Sequence, residues 1–246
     1  MPNVMHRKFA VLAVLLALSA CNTPPGPVEV WDPYEAQNRQ IHADNVATDR
    51  AVLRPVARAW SEGIPGPVRQ GAVNFATNLE APSHVVNDVL QGEGEDAVHN
   101  LFRFVINSTL GIGGIFDPAS SFGLEPRSTD FGETLFVWGA PEGAYLELPL
   151  LGPSTERDAA GTVVDIVLNP VGVIASDLPN WVSPTGRVVR VIDTRARLAS
   201  SIDGILYESA DSYAQSRSIY LQNRRFELGD EAEDTYFDPY EDLYGE

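Results

Sequence analysis

The sequence predicts a mainly α-helical protein of amphipathic helices with short irregular or hairpin segments between them. Three observations carry this. Apolar residues recur at helical spacing through much of the chain between Pro33 and Phe226. Proline and glycine, 18 and 20 of the 246 residues, fall between those stretches and cut them into short pieces. Between the linker "TPPGPVEV" and an acidic carboxyl-terminal segment about 195 residues remain, enough for one sizeable core or two small ones.

At the amino terminus His6-Arg7-Lys8 precede the uncharged, mostly apolar run Phe9 to Leu18, the layout of a secretory signal peptide. The run is too short to span a bilayer, which takes about 20 residues. Ser19 and Ala20 then precede Cys21, the only cysteine. "LSAC" fits the bacterial lipobox, in which the thiol is diacylated, residues 1–20 are cut away and the new amino terminus is acylated. At about 0.8 kcal/mol per buried methylene, more than one acyl chain holds a protein stably on a membrane without spanning it. Asn22 stands where an aspartate would retain the protein at the inner membrane of enteric bacteria, which favours the outer membrane. The other reading is an ordinary signal peptide followed by a free thiol. Residues 21–30 then form a linker, and residues 31–226 the helical domain.

From Pro33 to Trp60, Ile41, Val52, Leu53, Val56 and Trp60 share roughly one face, and Pro55 is expected to kink or divide the helix. Pro67 suits the first turn of a second helix carrying Val68, Ala72, Phe75, Ala76 and Leu79. A separate short helix is expected from Pro82 to Leu90. "GEGEDA", residues 92–97, reads as a turn with acidic residues at a helix amino terminus, where they suit the dipole. As a dinucleotide loop it fails, since no strand precedes it and Glu93, Glu95 and Asp96 would repel a pyrophosphate. In "EDAVHNLFRFVINSTL" Ala97, Val98, Leu101, Phe102, Val105, Ile106 and Leu110 form a stripe wide enough to be buried in a core or in lipid.

Residues 111–124, "GIGGIFDPASSFGL", have no helical period and predict a loop or re-entrant turn, with Gly111, Gly113 and Gly114 serving the backbone. Residues 131–154 suit either two short extended arms around "APEG" or a helix followed by a strand. A short helix follows from Arg157 to Leu168, then a proline-punctuated stretch, residues 170–184, with Trp181. One long helix is expected from Gly186 to Phe226. It would turn Val188, Val189, Ile192, Leu198, Ile202, Ile205 and Leu206 inward, and Arg187, Arg190, Arg195 and Arg197 toward solvent. Phe75 and Trp138 are read as packing residues.

The net charge is −17. Removing residues 1–20 takes away Arg7 and Lys8 and no acid, leaving 15 basic and 34 acidic residues and a net charge of −19. Such an excess of acid argues against nucleic-acid binding and against adhesion to anionic headgroups by bulk charge. Residues 227–246 hold nine Asp or Glu and no base, which predicts a solvated, disordered tail. The interleaved Tyr236, Phe237, Tyr240 and Tyr244 make a partner-binding peptide the alternative.

Catalytic patterns are missing from the sequence. His42, His84 and His99 fall on three different helices with no HExxH pairing, and acylation leaves no free cysteine, so no metal is expected. There is no GxxxxGK[ST] and no GxSxG. Any of the 34 carboxylates could be paired in space, but nothing singles out a catalytic pair. The expectation is a protein that is not an enzyme and takes no cofactor.

Seven blocks, in order, resemble one family: "DPYEAQNRQIHADN" from Asp32, "RPVARAW" from Arg54, "IPGPVRQGAVNFATNLEAPSHVVNDVLQG" from Ile64, "RFVINSTLGIGGIFDPAS" from Arg103, "DFGETLFVWG" from Asp130, "LPLLGPSTERDAAG" from Leu148 and "DTRARL" from Asp193. Together they look like the MlaA/VacJ lipoproteins over about residues 31–226. The resemblance implies a helical ring around a central amphipathic channel, lying in the inner leaflet of the outer membrane on its periplasmic side. It implies that phospholipid misplaced in the outer leaflet passes through this channel to a soluble periplasmic carrier of the MlaC type, and that the protein associates with a trimeric porin.

Within that reading Cys21 is the lipidation site, and Arg103, Asn107, Arg157 and Asp158 are candidates for the lipid passage. Arg103 and Asn107, one turn apart, would face a headgroup or else fix a loop by hydrogen bonds. Arg157 and Asp158 would form a buried pair in the channel wall, unless Asp158 serves the helix dipole. Two other functions compete with lipid transport: a structural lipoprotein that scaffolds porins or envelope complexes and moves no lipid, and a lipid-cleaving hydrolase, which the missing nucleophile motifs disfavour.

Overall fold

The computed structural model describes residues 30–167 and 182–229. The signal peptide, Cys21, nearly all of the linker, the proline-punctuated stretch up to Trp181 and residues 230–246 of the acidic tail lie outside them. The described chain is mainly helical with one short hairpin.

Helix α1, Glu35–Thr48, passes into a π turn, Asp49–Leu53, and on into α2, Arg54–Gly63. Here Pro55 widens the helix and does not end it. Proline cannot donate to the carbonyl four residues back and its ring crowds that oxygen; the wider turn, in which the Arg54 N–H reaches back to the Asp49 carbonyl, relieves both.

Helix α3, Gly66–Gln91, starts behind Pro65 and runs straight through Pro82, where two helices were expected. A proline inside a helix costs about 3 kcal/mol. Contacts on both sides of Pro82 hold the two halves in line: Ala76 packs near Gly186, and Asn87 accepts a hydrogen bond from the Thr134 hydroxyl at 3.0 Å. The helix ends at Gly92, whose φ of +84° lets its N–H turn back to the Asp88 and Val89 carbonyls.

Helix α4, Gly94–Thr109, begins with Glu95 and Asp96 in its first turn, as expected from the sequence. Turns then lead to α5, Pro118–Ser121, which the Asp117 carboxylate caps at the Ser120 N–H. Asp130 caps α6, Phe131–Val137, in the same way at Glu133. Strands β1, Tyr145–Leu148, and β2, Gly152–Thr155, pair antiparallel with Tyr145 opposite Thr155. Residues 131–154 therefore follow the second sequence reading, helix then strand, with the hairpin turn at residues 149–151, beyond "APEG".

Helix α7, Glu156–Val167, matches expectation. The long carboxyl-terminal helix does not: the chain forms α8, Val182–Arg197, α9, Ala199–Asp203, a π turn, Gly204–Glu208, and α10, Ser212–Glu227. Ser209 is extended, and Asp211 then accepts from the Ala214 N–H as the cap of α10. A short acid that satisfies a free backbone N–H favours starting a new helix over continuing the old one.

Among the described residues few large apolar side chains are buried: Tyr145, Tyr213 and Leu221 form a small cluster against which Val30 and Tyr220 pack, and Leu135 and Val164 are buried outside it. Elsewhere helices meet through small residues such as Ala57, Ala76, Ala81 and Ala97. Gly161 of α7 crosses closely on Gly132 of α6, where a Cβ on Gly161 would lie 2.3 Å from the Gly132 nitrogen. Gly161→Ala should therefore destabilise the protein by about 1–3 kcal/mol through overpacking against rigid backbone. A thermal melt of the detergent-solubilised variant that matches the parent would contradict this.

Candidate lipid interface

Helix α4 is amphipathic in the sense opposite to that of a water-soluble helix. Its buried positions are Ala97, Asn100, Arg103 and Asn107, the polar ones at most 7% exposed. Its large apolar residues point outward: Val98, Phe102 and Leu110 are 53%, 58% and 66% exposed. Of the stripe read from the sequence, Ala97 is buried and Ile106 partly so, while Val98, Leu101, Phe102, Val105 and Leu110 are exposed. The same reversal recurs along α3, where Asn78, Asn87 and Asp88 are buried while Val68, Val86 and Val89 are exposed. Ile112, Phe116 and Phe122 in the loops around α5 are exposed as well, as are Trp138, Ile166 and Val188. Water-exposed patches of this kind rarely exceed a few hundred Å² unless they are covered by a partner or a membrane.

The buried polar side is held by hydrogen bonds. Asn100 donates to the Asp88 carboxylate at 2.8 Å and to the Arg127 carbonyl at 2.9 Å. Asn78 donates to the Ser108 hydroxyl at 2.9 Å and sits so close to Gly114, φ +95°, that any side chain there would collide with it. Arg103 donates to Asp117 at 2.6 Å, to Ser120 at 3.0 Å and to the Leu124 carbonyl. Asn107 donates to the same Asp117 at 2.9 Å and accepts from the Ala119 N–H at 3.1 Å. Two of the sequence candidates therefore meet on one carboxylate, and their polar atoms secure the loop of residues 111–124. Sequence reading did not single out Asp117, although its position before Pro118, followed by small and hydroxylated residues, is a cap pattern.

The other two candidates belong to a separate network. Asp158 is buried; it accepts from the Tyr220 hydroxyl at 2.5 Å and from Arg224 at 3.2 Å, and Arg157 Nε lies 3.6 Å away. Burial pushes its pKa up, but Arg224, Tyr220 and Arg157 outweigh that and hold the carboxyl below its ordinary value. Arg224 also donates to Asp130 at 2.7 Å, tying α10 to the start of α6. The buried Arg157 guanidinium stands 5.2 Å over the Phe136 ring, and its Nε and Nη2 have no hydrogen-bond partner among the described residues. Asp158 also stands in the first turn of α7, so pair and dipole roles coincide.

Three further readings need correction. Arg195 is buried and not solvated; it grips Asp49 with two hydrogen bonds of 2.8 and 2.9 Å and reaches Asp203 at 2.5 Å. The exposed residues of α8 include Val188, and Leu198 just beyond it is exposed too; both were expected inward. Trp138 is not a core packing residue: it is exposed, stacks edge-on against Phe131 and donates to the Leu90 carbonyl at 3.0 Å.

Because Arg103 is buried with Asp117 as its counter-charge, Asp117→Asn should cost about 2–4 kcal/mol at neutral pH. Burial raises the Asp117 pKa, but bonds from Arg103, Ser120 and Asn107 bring it below its ordinary 3.8. A lowered folded-state pKa stabilises above the unfolded value and is lost as pH falls through the folded one. Denaturant titrations below about pH 4 should show the parent losing stability faster than Asp117→Asn; parallel pH profiles would remove Asp117 as the source.

The sequence matches the MlaA lipoprotein family over residues 30–227. The intermembrane phospholipid transport system lipoprotein MlaA of Shigella flexneri is 36% identical over 200 residues, 79% of this chain and 77% of the relative. The protein of the same name from Haemophilus influenzae is 31% identical over 239 residues, 92% of each. A solved structure described under "Structural basis for maintenance of bacterial outer membrane lipid asymmetry" superposes with a TM-score of 0.70 at 37% identity, covering 80% of this chain and 98% of that one. With the family blocks matched in sequence and the helical frame matched in space, the chain belongs to the MlaA lipoprotein family.

Proposed function

We propose that this protein removes phospholipid misplaced in the outer leaflet of the outer membrane and passes it to a periplasmic carrier of the MlaC type, so maintaining lipid asymmetry. It is held on the periplasmic side of that membrane by acyl chains on Cys21 and by its apolar helix faces. Beside a trimeric porin, the helices enclose a central passage, and no chemical step is involved. The observation that carries this reading is the reversed amphipathicity of α4, with Arg103 and Asn107 inside and Phe102 and Leu110 outside.

Each Å² of apolar surface left in water costs about 25 cal/mol, so a stripe like that of α4 is stable only under a cover. No helix of the described residues is long and apolar enough to cross a membrane, so such a surface suits immersion in one leaflet. A phospholipid joins a charged head to apolar tails, and its route needs polar groups set into apolar walls. Helices that keep asparagine, arginine and aspartate on one side and valine, leucine and phenylalanine on the other supply both. The names of the Shigella and Haemophilus relatives, intermembrane phospholipid transport system lipoproteins, agree with this cargo.

In cells depleted of the protein, surface labelling should show more outer-leaflet phospholipid, which the intact gene reverses and a Cys21→Ala gene does not. Unchanged surface phospholipid would instead favour a scaffold that moves no lipid. Replacing Val98, Phe102 and Val105 together by serine should leave folding in detergent nearly intact, since all three are exposed. It should weaken membrane association, at roughly 1–2 kcal/mol per side chain withdrawn from lipid. Membrane flotation equal to the parent's would count against an immersed α4.

A further inference from the structure

Among the described residues, the segment from Ile202 to Tyr207 has two unlike faces, and nothing in the fold accounts for both. On one face is a cavity of about 230 Å³ between α9, the following π turn, α10 and β2. It is lined by Ile202, Ile205, Leu206, Ile219 and Tyr220, with Ser216 the other hydroxyl-bearing residue. The Tyr220 hydroxyl is already committed to Asp158 at 2.5 Å, which leaves the ring carbons for the cavity. Ligand cavities run to about 300–1,000 Å³, so this one is too small for a whole lipid but suits a single tail.

The neighbouring face carries Asp203 and Tyr207, one turn apart. Asp203 accepts from Arg54 and from Arg195, each at 2.5 Å, and Tyr207 donates to Asp49 at 2.5 Å. The guanidinium groups of Arg50 and Arg54 stand 4.8 and 5.0 Å from the Tyr207 ring. Among the described residues Arg54 pairs with Asp203, Arg195 pairs with Asp49 and Asp203, and Arg50 stands over the Tyr207 ring, so three guanidiniums gather around two carboxylates in a chain of net charge −17. Arg50 is exposed and the Arg54 side chain is 38% exposed, and two accessible guanidiniums four residues apart on one helix are a phosphate-binding chemistry.

From this juxtaposition we propose that Ile202–Tyr207 seats one membrane phospholipid, with an acyl chain in the apolar cavity and the phosphodiester on Arg50 and Arg54. The assignment rests on the phospholipid reading above and places the cargo at a particular segment. A soluble phosphate would use the arginines and leave the cavity empty; a neutral lipid would do the reverse.

The test uses the full acylated protein in detergent with phosphatidylglycerol carrying a photoactivatable group midway along one chain, and maps labelled peptides by mass spectrometry. Label is expected on Ile202–Leu206 and Ile219–Tyr220. Diacylglycerol with the same chain should label these residues about tenfold less, the scale of one charge-assisted hydrogen bond. Arg50→Gln with Arg54→Gln should bring phosphatidylglycerol down to the diacylglycerol level, and Ile205→Trp should block both. Since Arg54 also holds Asp203, Arg50→Gln alone, at an exposed position, gives a smaller loss in a protein whose fold is undisturbed.

Equal labelling by phosphatidylglycerol and diacylglycerol overturns the proposal. So does label confined to α4. Transport itself is judged separately, by surface phospholipid in cells: a gene that restores asymmetry while its protein takes no label at this segment refutes the site and leaves the function standing.

Discussion

Helices that turn their apolar faces outward have to be held together by what lies on the other side, and in this protein that is hydrogen bonding between buried polar groups. Asp117 shows the constraint at its most concentrated. One carboxylate accepts from Arg103, from Asn107 and from both the hydroxyl and the N–H of Ser120. A single intramolecular hydrogen bond contributes only about 1 kcal/mol net, but a buried donor left without its acceptor costs more than that, so such clusters hold as units. The helix interfaces follow the same logic. Alanine and glycine at Ala76, Ala97, Gly132 and Gly161 let backbones approach closely, as in membrane helix packing, where lipid competes for every large apolar side chain.

Ion pairs join segments far apart in sequence. Arg195 on α8 clamps Asp49 in the first π turn. Arg217 and Tyr213 on α10 both reach Asp32 at the start of the described chain. Arg39 on α1 pairs with Asp211, the cap of α10; being well exposed, that pair adds little stability, although it lowers the Asp211 pKa to about 2. Val30, where the described residues begin, packs on the cluster of Tyr145, Tyr213 and Leu221. A rigid polar frame under an apolar skin is what a protein needs if it is to stand in one leaflet and handle molecules that are themselves polar at one end and apolar at the other.

Most helices could be read from the sequence, because period and caps are local. The acidic first turn of α4, the proline-led start of α3 and the extent of α7 all agree with that reading. It failed where distant contacts outweigh local preference. Pro82 stays inside α3 because both flanking halves are packed, and the expected helix from Gly186 to Phe226 breaks because Asp211 caps a new one. Of the candidate residues, Arg103 and Asn107 lie one turn apart and share Asp117, and Arg157 stands beside Asp158. Their partners Asp117, Tyr220 and Arg224 were not singled out by the sequence, since those contacts span from 10 to 66 residues of it.

By itself the sequence determined the helical class, the apolar stripe on α4 and the family blocks, because side-chain periodicity and turn chemistry are properties of neighbouring residues. It placed Arg103 and Asn107 beside the stripe of Val98, Phe102 and Leu110 and left open whether that stripe is buried in a core or in lipid. Only the tertiary structure decided which side turns inward. Facing α3 and the loop at Asp117, the polar stripe finds a partner for each buried group, while the apolar stripe finds no large apolar surface to meet. The side that can be satisfied turns inward, and the apolar side is left exposed.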